Sequence, residues 1–174
     1  MIYVPNRFLF IHIPRTAGNA ITRALGRELL RHSNPVIVTS KIGTFERHSR
    51  AIDLRSAIPE FDSLIKYSIS RPIGEIIASD YRLHRNVVVS EHDSDDWKET
   101  VKLAVNESLG EFTERRWVPW MGGVTPWRHW CCDETGRELG VQRIEFSELP
   151  SRWDELCKAA GCQSSIPFDR WDSV

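Results

Sequence analysis

The chain has 174 residues, of which 41% are hydrophobic and 27% charged, and this composition fits a single domain with one core over residues 1–174. The formal net charge is −1 with both signs interspersed, so no strong overall field attracts nucleic acid or an acidic membrane surface. The apolar run 8–13 is interrupted by His12 and is too short for a bilayer span or a secretory signal. We therefore expect a soluble, cytoplasmic protein with no nucleic-acid or membrane partner.

The first predicted strand is the run 8–13, which leads into a helix. That helix carries apolar residues at helical spacing on one face: Ile21, Ala24, Leu25 and Leu29. Residues 36–38 are all β-branched and predict a buried parallel strand. The mixed polar stretch 41–50 predicts a loop.

Prolines mark the next boundaries. A short helix at 51–58 is stopped by Pro59, and a third strand follows at 64–70. Pro72 opens another helix, because proline is favoured at the first helical position, and Arg71 stands just before it. The buried stripe of this helix is predicted to be Ile73, Ile76, Ile77 and Tyr81.

The last third of the chain predicts a helix at 97–109, a turn at 133–136 and a strand at 141–146. A closing helix ends at Gly161, and its buried face is Leu149, Trp153, Leu156, Cys157 and Ala160. The region 117–130 is rich in tryptophan and contains glycine and proline, which favours irregular structure. Its tryptophans either fill a satellite core or line a substrate groove, and the sequence leaves both interpretations open.

The alternation of strands and helices predicts a three-layer α/β fold with a mainly parallel central sheet. Ligands of such sheets bind beyond the carboxyl ends of the strands, where both arginine-bearing junctions, at Arg15 and Arg71, are expected. The first junction offers backbone N–H groups and a positive helix end, which favour a phosphate. It lacks the G-x-x-x-x-G-K-[ST] spacing, so an ordinary ATPase or GTPase is not supported.

Four cysteines raise the question of a metal site. Cys131 and Cys132 are adjacent, and Cys157 and Cys162 follow much later with four residues between them, which does not match the usual zinc spacings. We therefore expect buried, reduced thiols and no metal.

Residues 13–20, Ile-Pro-Arg-Thr-Ala-Gly-Asn-Ala, resemble the loop that binds the 5′-phosphosulfate in sulfotransferases that use 3′-phosphoadenosine 5′-phosphosulfate (PAPS). In that family the loop typically reads Ile-Pro-Lys-Thr-Ala/Gly-Gly-Thr-Ser. Arg71 and Ser79 also have the spacing of the family's arginine and serine at the 3′-phosphate. Segments 45–48 and 130–149 are similar to sections of carbohydrate-type members. The resemblance implies the P-loop NTPase-like sulfotransferase fold.

The resemblance also implies roles for individual residues. The 5′-phosphosulfate would be held by Arg15, Thr16, Ala17, Gly18, Asn19 and Ala20, and the 3′-phosphate by Arg71 and Ser79. Arg15 stands where the family usually has lysine, so we expect electrostatic stabilisation from it rather than proton donation. Asn19 offers an amide donor and Ala20 only its backbone N–H. Thr16 is expected to donate its hydroxyl, and Gly18 to let the backbone approach the ligand.

The acceptor of the sulfuryl group loses a proton, so a general base is expected, and His48 matches the histidine that some family members use. Glu46 is the reserve base and Lys41 a weaker candidate for assisting the sulfate. His12 is predicted to be a hydrogen-bonded core residue.

The leading hypothesis is a metal-independent, PAPS-dependent sulfotransferase acting on a hydroxyl or amine of a carbohydrate or small-molecule acceptor. A nucleotide-binding module that keeps the fold without catalysis is the alternative, and a small-molecule kinase with a degenerate phosphate loop is a third. The chain ends soon after Gly161, where larger relatives continue, so a second subunit of a homo-oligomer is a possible source of further nucleotide contacts.

Overall fold

The computed structural model describes most of the chain, namely residues 1–31, 37–38, 41–42, 45–46 and 48–162. The chain divides into two compact units, one formed by residues 1–70 together with the chain from Trp127 onwards, the other by Arg71–Pro126. The single domain over 1–174 stays a prediction. No helix within the described residues has the length and apolar character needed to cross a membrane.

A mixed five-stranded sheet forms the centre of the first unit. The strands of the described chain are β1 (Ile2–Val4), β2 (Phe8–Ile11), β3 (Ile37–Val38), β4 (Lys41–Ile42), β5 (Phe45–Glu46), β6 (Ile65–Ser70) and β7 (Val141–Glu145). The sheet has the order β3-β1-β2-β6-β7, with β4 and β5 paired separately. Parallel pairing joins β2 to β6 and β6 to β7, whereas β1 is antiparallel to both of its neighbours. The α/β class is thus confirmed.

Three strand predictions need correction. The first predicted strand ends at Ile11 instead of residue 13. The prediction also missed β1, which pairs with β2. The turn between these two strands contains Asn6, whose φ is 58°. Asparagine tolerates this left-handed conformation better than most residues. The strand predicted as parallel at 36–38 is Ile37–Val38 and runs antiparallel to β1. The predicted loop 41–50 contains β4 and β5. The central sheet, predicted to be mainly parallel, is mixed, because among its described strands only β2, β6 and β7 pair in parallel.

The helices of the described residues are α1 (Gly18–Arg31), α2 (Ala51–Ala57), α3 (Ile73–Arg85), α4 (Asp95–Asn106), α5 (Leu109–Phe112), α6 (Val118–Met121), α7 (Pro126–Cys131) and α8 (Leu149–Ala160). A π-helical turn, Thr113–Trp117, lies between α5 and α6, and 3-10 turns occur at Phe61–Ser63 and Phe146–Glu148. The predicted helices at 51–58 and 97–109 correspond to α2 and α4. The closing helix is confirmed, with Gly161 left-handed at its end.

The main core lies between the sheet and two helices, α1 and α8. Alternate residues of the strands face these helices, as the strand period of two requires. The buried set from the strands is Ile2, Val4, Phe8, Phe10, Tyr67, Ile69 and Ile144. The helices add Ile21, Leu25, Leu29, Leu149, Trp153, Leu156, Cys157 and Ala160. The apolar stripes predicted for α1 and α8 therefore face the same core, whereas the stripe predicted for α3 is only partly buried, since Ile73 is exposed.

Polar groups on the opposite face of the sheet are buried and hydrogen-bonded. Ser68 Oγ donates to Ile11 O at 2.8 Å, and Lys66 Nζ donates to Phe61 O and Leu64 O, each at 2.9 Å. The ammonium also lies 4.9 Å from the centre of the Phe61 ring. These bonds hold the 3-10 turn Phe61–Ser63 against β6, so this face is covered as well.

The second unit, Arg71–Pro126, is built around aromatic contacts between its helices. Tyr81 lies 5.3 Å from Phe112 and His84 lies 4.5 Å from Trp97, measured between ring centres. Trp117 is buried, and its Nε1 donates to Asp80 Oδ2 at 3.1 Å. Trp117 is therefore a core residue of this unit. The region 117–130, predicted to be irregular, contains α6 and the start of α7, separated by two left-handed glycines, Gly122 and Gly123.

All four cysteines are free thiols, as the sequence predicted. Cys131, Cys132 and Cys157 are buried and Cys162 is half-buried. Burial raises the pKa of the Cys131 thiol well above its ordinary value. A raised pKa keeps this sulfur protonated and therefore weakly nucleophilic.

A charged cluster on α8 is expected to make folding sensitive to acid. The guanidinium of Arg152 donates to both carboxylate oxygens of Glu155, and the hydroxyl of Tyr67 donates to Oε1 at 2.6 Å. These bonds lower the pKa of Glu155 below its ordinary value of 4.5. The unfolded carboxyl protonates first as the pH falls, so the stabilisation is present above about 4.5 and is lost below it. Glu155→Gln should reduce the free energy of unfolding by about 1 kcal/mol at pH 7 and by less at pH 3.

Urea unfolding between pH 7 and pH 3 measures this difference. Glu99→Gln is the matched control, since Glu99 is exposed and its carboxylate lies 3.9 Å from Lys102 Nζ. An equal loss for Glu155→Gln at both pH values would contradict the assignment.

Candidate functional site

The candidate site begins where β2 ends. Ile11 pairs with Ser68 of the parallel strand β6, so the chain leaves β2 at the carboxyl edge of the parallel strands. This edge is where α/β sheets bind ligands. The connection to α1 contains two residues that are not glycine and yet have left-handed backbones, Arg15 with a φ of 62° and Ala17 with a φ of 67°. Such conformations are unfavourable for L-residues and concentrate at functional sites.

The left-handed residues alternate with Thr16, which is not among the residues with positive φ. Alternating left- and right-handed residues turn successive backbone N–H groups toward one side and create a concave anion-binding nest. Helix α1 follows directly, with Ile21 N donating to Ala17 O at 3.1 Å. The first N–H groups of a helix have no intrahelical acceptor, and the helix dipole adds positive potential there. The structure thus combines two features on which anion sites are commonly built, a left-handed turn and the start of a helix.

The hydroxyl of Thr16, which was predicted to donate to the 5′-phosphate, donates to the loop backbone. Its side chain is fully buried, and Oγ1 donates to Ile13 O at 2.8 Å. The hydroxyl therefore braces the loop internally in this structure. The other predicted loop residues are more accessible: Arg15, Ala17 and Ala20 are half-buried, and Asn19 is exposed.

Gly18 is glycine for a reason that the sequence did not reveal. A Cβ atom at this position would lie 1.8 Å from Cδ2 and 2.1 Å from Nε2 of His12. No side chain fits there, because the imidazole ring of His12 occupies the space. The absence of a side chain at Gly18 is thus explained by packing against His12.

His48 lies against the same histidine. The centres of the two imidazole rings are 4.5 Å apart in an edge-to-face arrangement, and His48 Nδ1 is 3.0 Å from the backbone oxygen of His12. A carbonyl oxygen only accepts, so Nδ1 carries the proton and donates. In the neutral ring, Nε2 then carries the lone pair. His48 is exposed, so this nitrogen belongs to a solvent-accessible side chain.

Trp130 holds the backbone of His48 in place. This tryptophan is buried, and its Nε1 donates to His48 O at 2.8 Å. Within the first unit, Trp130 therefore fixes the backbone position of the candidate base. From the sequence, Trp130 was predicted only to belong to the tryptophan-rich region 117–130. The one sequence feature that points to its role is that a buried indole N–H requires a hydrogen-bond acceptor.

The predicted 3′-phosphate residues belong to the second unit. Arg71 follows the last residue of β6, and its Nε donates to Glu75 Oε2 at 2.8 Å. This bond uses one of the five N–H donors of the guanidinium. Ser79 is half-buried on α3, two turns further on. The side chains of Lys41 and Glu46 lie outside the described residues.

A further carboxylate at the carboxyl edge was not anticipated from the sequence. Glu145, the last residue of β7, accepts from Ser70 Oγ at 2.9 Å and forms an ion pair with Arg143 Nε at 2.7 Å. The bond from Ser70 joins the ends of β6 and β7, and the ion pair with Arg143 lies within β7. The structure thus brings the loop 15–20 together with His48 through His12.

No protein-family model, curated protein or solved structure matches this chain. Within the part of the chain that the structure describes, no group of three or more histidine, cysteine, aspartate or glutamate residues is arranged to hold a metal ion. The function of the chain is therefore inferred from its local sequence pattern and from the geometry of the loop and its neighbours.

The left-handed backbone of the loop makes a prediction about stability. Ala17→Gly should raise the free energy of unfolding by about 0.5–1 kcal/mol, because glycine adopts a φ of 67° without the clash that Cβ causes. Ala24→Gly is the matched control: Ala24 lies within α1, where glycine should lower the stability by about the same amount. Urea unfolding of both variants decides the matter, and a destabilised Ala17→Gly protein would refute the left-handed assignment.

Proposed function

We propose that this protein is a PAPS-dependent sulfotransferase that transfers a sulfuryl group to a hydroxyl or amine of a carbohydrate or small molecule. The observation that carries the proposal is the left-handed backbone at Arg15 and Ala17, between a parallel strand and α1. The same residues carry the sequence resemblance to the phosphosulfate loop. The P-loop-like sulfotransferase fold is part of the proposal.

The hydrogen-bond donors of the loop are suited to a phosphosulfate. A 5′-phosphosulfate presents a dense group of anionic oxygens, and a nest of backbone N–H groups at the start of α1 matches it in charge and hydrogen-bond polarity. Arg15, half-buried in the loop, adds a permanently charged fork that binds two such oxygens at once. Its role is to stabilise the negative charge that develops on the leaving oxygen, since its high pKa excludes proton donation.

His48 supplies the complementary function. An acceptor hydroxyl or amine must lose a proton as it attacks sulfur, and Nε2 of His48 has the lone pair to take it. The bond from Nδ1 to the His12 carbonyl sets this tautomer and also stabilises the protonated ring that results. His48 is thus assigned as the general base, and the chain's own residues cover both charge stabilisation and proton removal.

Nucleotide binding tests the proposal most directly. Isothermal titration with 3′,5′-diphosphoadenosine (PAP) in the presence of EDTA should give binding, and ATP with magnesium should bind more weakly. Tighter binding of ATP that requires magnesium would favour the kinase alternative instead. Binding of PAP without turnover of PAPS would favour the nucleotide-binding module. Absence of PAP binding would overturn the proposal.

Arg71→Ala tests the second phosphate contact. If Arg71 binds the 3′-phosphate, the variant should bind PAP at least about tenfold more weakly, with little change for AMP, because a charge-assisted bond is worth roughly 1.5–3 kcal/mol. Arg82→Ala is the control, since Arg82 is exposed on the same helix, α3. Equal losses for PAP and AMP would remove the assignment.

His48→Ala separates catalysis from binding. The variant should bind PAP with nearly unchanged affinity while transfer from PAPS to an acceptor such as glucosamine falls about 100-fold or more, as expected for a lost general base. PAP release measures turnover. His92→Ala, which changes an exposed histidine of the second unit, is the control. Unchanged turnover in His48→Ala would assign the proton transfer to another residue.

A further inference from the structure

His12 is a buried histidine with no part in the chemistry described above. It is 3% exposed, yet it contacts both halves of the candidate site. We propose that His12 is a positioning residue that fixes His48 beside the phosphate loop. The proposal rests on the proposed function for its catalytic meaning, but the contacts themselves are testable without any enzymatic activity.

The contact with the loop is made by the His12 ring. The space that a Cβ atom of Gly18 would occupy is filled by Cδ2 and Nε2 of this ring, at 1.8 Å and 2.1 Å from the ideal Cβ position. Gly18 is the first residue of α1, so the ring lies directly against the helix end that follows the nest. Any displacement of this helix end must therefore move the His12 ring.

The contact with the base uses two groups of His12. Its ring packs edge-to-face against the His48 ring with 4.5 Å between centres, and its backbone oxygen accepts the Nδ1 proton at 3.0 Å. One contact restricts the plane of the His48 ring, and the other selects its tautomer. Together they hold Nε2 in one orientation.

This restraint is needed because His48 is exposed and belongs to a loop. An exposed side chain ordinarily samples several rotamers, and ordering it has an entropic cost. Trp130 bonds to the backbone of His48 through its carbonyl oxygen. His12 contacts the imidazole itself, through its ring and its carbonyl oxygen. Misplacement of a catalytic group by about 1 Å is enough to reduce a rate by about 100-fold.

Aromatic packing against His48 is the function that the geometry gives to the His12 side chain. His12→Phe keeps an aromatic ring between Gly18 and His48, whereas His12→Ala removes the ring and keeps the backbone carbonyl. Both variants keep the backbone carbonyl, so the difference between them measures the contribution of ring packing alone. A proton-transfer role for His12 itself would be abolished by both.

Kinetics of PAPS turnover with glucosamine provide the first test. We expect His12→Ala to lower kcat between 10-fold and about 100-fold with PAP affinity unchanged within threefold, and His12→Phe to stay within threefold of the native protein. In a His48→Ala background, His12→Ala should have no further effect, because a positioning residue acts through the group it positions. Additive losses, or a His12→Phe variant as impaired as His12→Ala, would overturn the proposal.

Nuclear magnetic resonance provides the second test and does not depend on catalysis. Long-range ¹⁵N–¹H correlation at pH 8 should show the Nδ1–H tautomer for His48, with its signals assigned by comparison with His48→Ala. His12→Ala keeps the carbonyl but removes the ring that holds His48 Nδ1 against it, so the Nδ1–H tautomer should become only partly populated. His12→Phe should retain the single tautomer. His92→Ala should leave the His48 signals unchanged. If PAPS turnover is absent but the His48 tautomer changes in these variants as expected, the proposed function fails while the positioning role stands. An unchanged His48 tautomer in His12→Ala overturns the positioning role itself.

Discussion

The left-handed backbone at Arg15 and Ala17 is the constraint on which the site depends. Each of these residues costs of order 1–3 kcal/mol relative to an unstrained conformation, so the loop keeps its shape only where its surroundings fix both ends. One end is the buried strand β2, whose pairing with β6 continues to Ile11. The other is α1, whose Leu25 and Leu29 are fully buried. Inside the loop, the bond from Thr16 Oγ1 to Ile13 O closes the turn.

The same constraint explains why the candidate base lies where it does. The His12 ring packs against Gly18, at the start of the helix that follows the loop. The carbonyl oxygen of His12 accepts from His48 Nδ1. One residue between β2 and the loop thus contacts both the start of α1 and the candidate base. Trp130 completes the arrangement from α7 by bonding to the backbone of His48.

Much of the fold could be predicted because its helices have strong apolar periodicity. The stripe on α1, the boundaries of α8 and the position of β6 follow from side-chain spacing and from proline and glycine at the ends. Strand β1 escaped prediction because three residues are too few to show alternation. The antiparallel pairing of β3 was missed for the same reason, since a two-residue strand carries no information on its partner.

The strand-to-helix loop was predictable in its location but not in its internal contacts. The change from a strand to a helix around Arg15 identified the loop, whereas its left-handed backbone was unexpected because arginine and alanine normally avoid that region. The packing of Gly18 against His12 was also not predicted, because it depends on how the chain turns after β2, and no spacing rule encodes that turn. Likewise, Thr16 has a hydroxyl suited to phosphate, but the structure engages it with Ile13.

The residues whose conformations or contacts could not be predicted from the local sequence lie close together. Residues with strained backbones, a glycine required by a neighbouring ring, and an exposed histidine held by a buried one all lie within the connection from β2 to α1 and the loop beside it. A packed core stabilises such features only at a cost to folding, and sequences generally retain them where function requires a fixed geometry. Sulfuryl transfer has this requirement: charge must be met by oriented N–H groups and the proton by an oriented nitrogen. Under the proposed function, the strain in the loop and the restraint on His48 are therefore two parts of one arrangement, in which β2 and α1 would hold the phosphosulfate and the base at fixed positions.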